Sequence, residues 1–209
     1  AASGHQVTYA SFPPARPTVE GVNLPFLPLQ PGRLQEFLAA DSDRGSLDRL
    51  GQLRQRQSEA MSALALRDLP DLLRQVDPHL LLIDAEMHEH IIVASSAGLP
   101  IALLNTFNSI WRQAGVPPPH HLAIPGRGWK GSRLGSWLLW QNLGLKKVRR
   151  AWIQKLRHLG CDRLSILRRL SKETGFDLAT AADFGQWPIP FTFRSFPFIS
   201  LHALEFEFH

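Results

Sequence analysis

Apolar positions recur along the chain with two different periods, and the switches between them mark out the elements. Residues 80–83 (LLLI) and 101–104 (IALL) are unbroken apolar runs, too short for helices and of the kind found in strands buried on both faces. Between them the pattern predicts a helix over about residues 87–97, with Gly98 at its C-terminal cap and Pro100 just beyond. Strand, helix and strand in such short succession predict a βαβ unit, hence a parallel sheet with a right-handed crossover.

The flanking segments fit around that unit. Residues 6–10 (QVTYA) read as a short strand entered from the turn at Gly4-His5, and residues 13–20 as a short helix with proline near its start. Residues 23–29 (NLPFLPL) read as a second strand, whose two prolines place it towards an edge. From 32 to 76 the period is helical, with Leu34, Phe37, Leu38, Leu47, Leu50, Leu53, Met61, Leu64, Leu69, Leu72, Leu73 and Val76 forming the apolar stripe. Pro70 should break or restart that helix and Asp77-Pro78 should end it. Residues 105–133 are rich in turn formers. A helical pattern returns over 134–159, with Leu138, Leu145, Trp152 and Leu159 seven apart, and a further helix is expected over 164–170. FPFISL, 196–201, is a late strand expected in the same sheet. The fold class is therefore α/β, a Rossmann-like parallel sheet flanked by helices.

Composition narrows the classes. With 44% hydrophobic residues in 209, the chain can build a packed core. One cysteine, Cys161, excludes an internal disulfide framework. No apolar stretch approaches the roughly 20 residues that span a bilayer, and residues 1–10 lack the charged and apolar regions of a signal peptide. The net charge of +5 is uneven: residues 127–172 carry 13 Lys/Arg against one acid, Asp162, which leaves the remainder net acidic. The chain opens without methionine, on a turn leading into a strand, and this predicts a piece of a longer protein.

Two blocks carry a resemblance. SGHQVTYASFPPARPTVEGVNLPFLPL is similar to the second strand, helix and third strand of UDP-sugar-dependent glycosyltransferases with two Rossmann domains (GT-B type), such as the bacterial macrolide and zeaxanthin enzymes. LLLIDAEMHEHIIVASSAGLPIALLNT resembles their fourth strand, helix and fifth strand. The resemblance implies that residues 1–209 are a partial N-terminal acceptor-binding domain with a basic helical insertion at about 127–175. It also implies a missing first strand and a missing C-terminal donor domain. The implied reaction moves a sugar from a nucleotide-sugar donor to a hydroxyl of an apolar acceptor, by direct displacement with inversion. In that family a His after the first strand is the general base. His5 opens the second strand and does not inherit that role. Without a central first strand, its neighbours should expose apolar faces and unpaired backbone.

Asp84 matches the family acid that orients the catalytic His, and it falls at the carboxyl end of a strand, where open parallel sheets bind ligands. A carboxylate there fixes the imidazole tautomer and stabilises the imidazolium; the bland alternative is a helix cap. His88, four residues on, shares its face. His88, Asn105, Phe107 and Trp111 are the expected acceptor-binding residues. The cluster Glu86, His88, Glu89 and His90 lacks the i, i+4 histidine pair of a helical metal site, so no metal is expected. No cofactor is expected either, the UDP-sugar being a co-substrate held mainly by the other domain. GRGWKG, 126–131, lacks the spacing of a phosphate loop and reads as a flexible loop near the acceptor mouth.

The basic segment supplies a reading from a different class. Trp137, Trp140, Lys146, Lys147, Arg149 and Arg150 alternate as in an interfacial helix, which makes them candidates for membrane contact. The alternative function is a non-catalytic α/β module that binds lipid or an anionic surface. No nucleic-acid module is recognisable. The location expected is cytoplasmic, with peripheral contact at the membrane.

Overall fold

The computed structural model describes residues 4–43, 45–106 and 111–201. Strand β1 (Tyr9–Ser11) leads through a 3-10 turn (Pro13–Ala15) into helix α1 (Arg16–Gly21), and β2 (Phe26–Pro28) follows. The β1–β2 pairing is parallel and makes a two-stranded sheet, in which both strands are edges and the prolines in and beside β2 are tolerated. Helices α2 (Leu34–Ser42), α3 (Ser46–Gly51), α4 (Leu53–Ser62) and α5 (Leu69–Val76) come next, with Pro70 in the first turn of α5 and Asp77 in the left-handed conformation just past its end.

The βαβ unit forms as its pattern predicts. Strand β3 (Leu81–Asp84) and β4 (Ile101–Asn105) are parallel, with Ile83 opposite Leu103, and α6 (His88–Ser96) crosses between them. The late strand β7 (Phe198–Ser200) pairs parallel with the other edge of β4. Central β4 is almost wholly buried, as its unbroken apolar run requires. Strand β3 differs from expectation: Leu82 is 52% exposed and Leu80 is similarly open. Leu80 and Leu82 point to one face of the strand and half-buried Leu81 and Ile83 to the other, so one face of β3 is left open; no strand among the described residues lies against its outer edge either. Val7 and Tyr9, in and beside β1, are about half exposed too.

The basic region is helical: α7 (Gly128–Gly131), α8 (Arg133–Arg157) and α9 (Arg163–Thr174). A short helix α10 (Leu178–Ala181) runs into a small antiparallel hairpin of β5 (Ala182–Asp183) and β6 (Thr192–Phe193). The core lies where α6 is sandwiched between the sheet and α9. Ile91, Ile92 and Val93 of α6 meet Ile166, Leu167 and Leu170 of α9, with Leu103 of β4 and Phe191 and Phe193 around β6.

Two expectations from the helical stripe fail. Leu47 and Leu50 are exposed, whereas the charged Arg56 is fully enclosed and paired with Asp41 through two hydrogen bonds. Arg56 also donates to the carbonyls of Arg49 and His158, which ties α2 and α4 to the end of α8. A guanidinium can be buried here because its donors are met by a bidentate carboxylate and by carbonyls.

GRGWKG is not an open loop either. The Gly126 N–H donates to the carbonyl of Gly131, and a methyl group on Gly131 or Gly135 would fall well inside contact distance of the Ile124 or Trp129 carbonyl. Glycine lets the 124–129 backbone lie directly against the start of α8. Gly135→Ala should therefore cost about 1–3 kcal/mol of stability through overpacking. Gly144→Ala, in the same helix with nothing near the added methyl, should stabilise by about 0.5–1 kcal/mol. Urea unfolding of the two variants checks this; shifts of the same sign would refute the close approach.

Candidate functional site

The carboxyl ends of β3, β4 and β7 form one edge, carrying Asp84, Asn105 and Ser200. The main chain turns sharply after Asp84. Its Oδ1 accepts the Glu86 N–H at 2.8 Å and its carbonyl accepts the Met87 N–H at 3.0 Å. This is the local turn that aspartate favours by bonding its own backbone two residues on. The cap position of α6 itself is Met87, with no side-chain bond, so Asp84 shapes the entry to the helix rather than capping it. Among the described residues no group binds its second carboxylate oxygen.

His88 corrects an expectation. It does not face a crevice beside Asp84: it is 2% exposed, and both ring nitrogens lie 2.8 Å from main-chain carbonyls, Nδ1 from Glu86 and Nε2 from Phe191. The rings of Phe191 and Phe193 stand 4.7 and 5.6 Å from it, centroid to centroid. His88 is thus a buried strut between the first turn of α6 and the hairpin. Beside it Glu89 takes a two-pronged pair from Arg163 at the start of α9, at 3.0 and 3.2 Å.

Asn105 is buried at the end of β4, and its carbonyl receives the Leu201 N–H. Trp111 is partly exposed and rests edge-on against Phe198 of β7, 5.4 Å between centroids. Asp84 and Asn105 thus stand at the carboxyl-end edge of one sheet, Trp111 packs on the first residue of β7, and His88 is withdrawn into the core. Phe107 lies outside the described residues. His90, which the sequence did not single out for binding, sits edge-on to Phe12 with its Nδ1 buried and no hydrogen-bond partner for it among the described residues. Among those residues no group of three or more potential ligands could hold a metal ion.

Two of the candidate membrane residues face inward. Trp140 is 6% exposed; its indole donates to the Val116 carbonyl at 2.8 Å and the Arg112 guanidinium lies over its ring. Lys147 donates to the carbonyls of Phe184, Gln186 and Pro188, and burial pushes it down to about 8 despite the nearby Asp183. Both differ from the expectation because composition does not tell which face of a helix is packed. Trp137, Lys146, Arg149 and Arg150 are exposed.

A cavity of about 870 Å³ lies between α2, α8, α9 and residues 184–190, with Val148, Trp152, Phe184 and Ile189 on its apolar wall and Arg150 and Arg168 among its cations. Neither Asp84, Asn105 nor Trp111 lines it. It is therefore separate from the strand-end edge.

No protein-family model matches the chain and no curated protein does. What the structure defines is an α/β class with parallel strands and flanking helices.

Burial lowers His88 below the usual histidine range, outweighing the two carbonyls, which favour the charged ring. The fold therefore holds it neutral where the unfolded chain, near 6.5, has begun to protonate, so its contribution is complete above that value and is lost as pH falls below it. His90 and His158 are lowered in the same direction. Unfolding free energy should fall between about pH 7.5 and 5.5, and less steeply in His88→Gln. A chain stabilised by acid would reverse the assignment.

Proposed function

We propose that this chain is the acceptor-binding part of an inverting glycosyltransferase that moves a sugar from a UDP-sugar to a hydroxyl of an apolar acceptor. The observation that carries the reading is Asp84. It stands at the carboxyl end of β3 in a parallel β3–α6–β4 unit, with one oxygen spent on the turn and the other unclaimed among the described residues. That is the position from which a carboxylate orients a histidine base supplied from outside these elements, and it matches the family acid by sequence. The unpaired outer edge of β3 supports a further strand entering beside it. In this reading Trp111 and the end of β4 line the acceptor side, and the donor nucleotide is held by another domain.

The chemistry assigned to Asp84 is electrostatic. As the acceptor hydroxyl attacks the sugar carbon and the UDP oxygen departs, the base takes the hydroxyl proton and becomes an imidazolium, which the carboxylate stabilises. The 209-residue chain alone should not turn over.

Asp84→Asn separates this role from the structural one, because an asparagine side-chain oxygen can still accept the Glu86 N–H and keep the turn. In the product of the complete gene, assayed with UDP-glucose and a panel of apolar alcohols, the substitution should lower kcat by on the order of a hundredfold or more with KM little changed. Unchanged kinetics would leave Asp84 with the turn alone.

A further inference from the structure

Helix α8 has two apolar faces, and only one is used. Ser136, Leu139 and Trp140 are buried on the packed face, where Lys147 also clamps residues 184–188. On the other side Leu134, Leu138, Leu145, Val148, Trp152 and Leu156 are spaced by three, four and seven, which places them in one stripe. They are between 38% and 71% exposed. Trp137 and Ile153 widen the stripe, and Ile124 and Trp129 extend exposed apolar surface beside its amino end. At 25 residues the helix is roughly 37 Å long. An apolar strip along that length is more than isolated surface residues would give.

Charge decides what covers it. Helix α8 contains no acid, and exposed Lys146, Arg149 and Lys155 lie among and beside the stripe, with the Lys155 ammonium 5.8 Å from the Trp152 ring. Two copies joined through this face would bring like charges together in a dehydrating contact. An anionic bilayer meets both demands: aliphatic and indole side chains enter the headgroup boundary while the cations reach up to phosphate. No helix among the described residues is long and apolar enough to cross a membrane, so α8 would lie in the surface plane.

We propose that the exposed face of α8, with the α7 corner, docks the protein on the surface of an anionic bilayer. Val148, Trp152 and Lys155 belong both to this face and to the wall of the 870 Å³ cavity, so docking sets one side of that cavity against lipid. The proposal stands independently of sugar transfer.

The test is co-sedimentation of the 209-residue chain with vesicles of phosphatidylcholine alone and of phosphatidylcholine mixed with phosphatidylglycerol. Binding is expected to the mixed vesicles only and to weaken with added salt. The triple variant Lys146→Gln, Arg149→Gln, Lys155→Gln should lower partitioning by on the order of a hundredfold, at about fivefold per cation. The double variant Trp137→Ser, Trp152→Ser should lower it by about tenfold or more. All five side chains are exposed or on the open face, so the circular dichroism of both variants should match the parent. Absent binding, or equal binding to both vesicles, would overturn the proposal. So would a dimer in sedimentation velocity that the tryptophan variant abolishes while vesicles leave the chain in the supernatant.

Discussion

A parallel pair of strands cannot be closed by a tight turn; it needs a crossover, and the crossover has to be fixed against the sheet. Here that is α6, and its first turn is held from two directions. His88 reaches the Phe191 carbonyl in the hairpin, and Glu89 grips Arg163 at the head of α9. Because the Asp84 turn feeds directly into that first turn, the same contacts determine where the strand-end carboxylate stands. The aliphatic faces of α6 and α9 then supply the burial that makes the arrangement worth its ordering cost.

Polar groups act as fixings elsewhere as well. Arg56 and Asp41 join α2 and α4 to the end of α8, and Lys147 gathers three carbonyls of the 184–188 segment. Arg56 is fully enclosed and Lys147 partly so, and in each case the donors are met by oxygen, the condition under which burying charge is tolerable. His158 is close to the first of these, its Nδ1 4.0 Å from Asp41, so the α8–α9 corner adjoins a buried charge pair.

The strands and long helices were legible in the sequence because their signals are local: unbroken apolar runs for β3 and β4, proline at the start of α5, glycine after α6. Orientation was not local, and there the pattern misled. Leu138, Leu145 and Trp152 have the spacing of a core stripe yet face outward, while Trp140 and Lys147, which look like surface residues of an interfacial helix, are turned in. A helix with apolar residues on both sides gives no internal indication of which side meets the domain. His88 was misplaced for a related reason: four-residue spacing from Asp84 suggests a shared face only if the helix has already begun, and it begins at His88 itself. The β5–β6 hairpin, two residues to a strand, had no period to read. At the strand ends the end of the apolar run marks Asp84, but not the turn that occupies half of the carboxylate.

These features divide the surface between two proposed tasks, acceptor handling at the strand ends and lipid contact along α8. The first is the central one. The most direct measurement is transfer of label from a radiolabelled UDP-sugar to an organic-extractable apolar alcohol by the product of the complete gene, with the anomeric configuration of the product read by NMR. Transfer with inversion is the predicted result. Retention of configuration, or no transfer to any of a broad set of apolar acceptors, would contradict it.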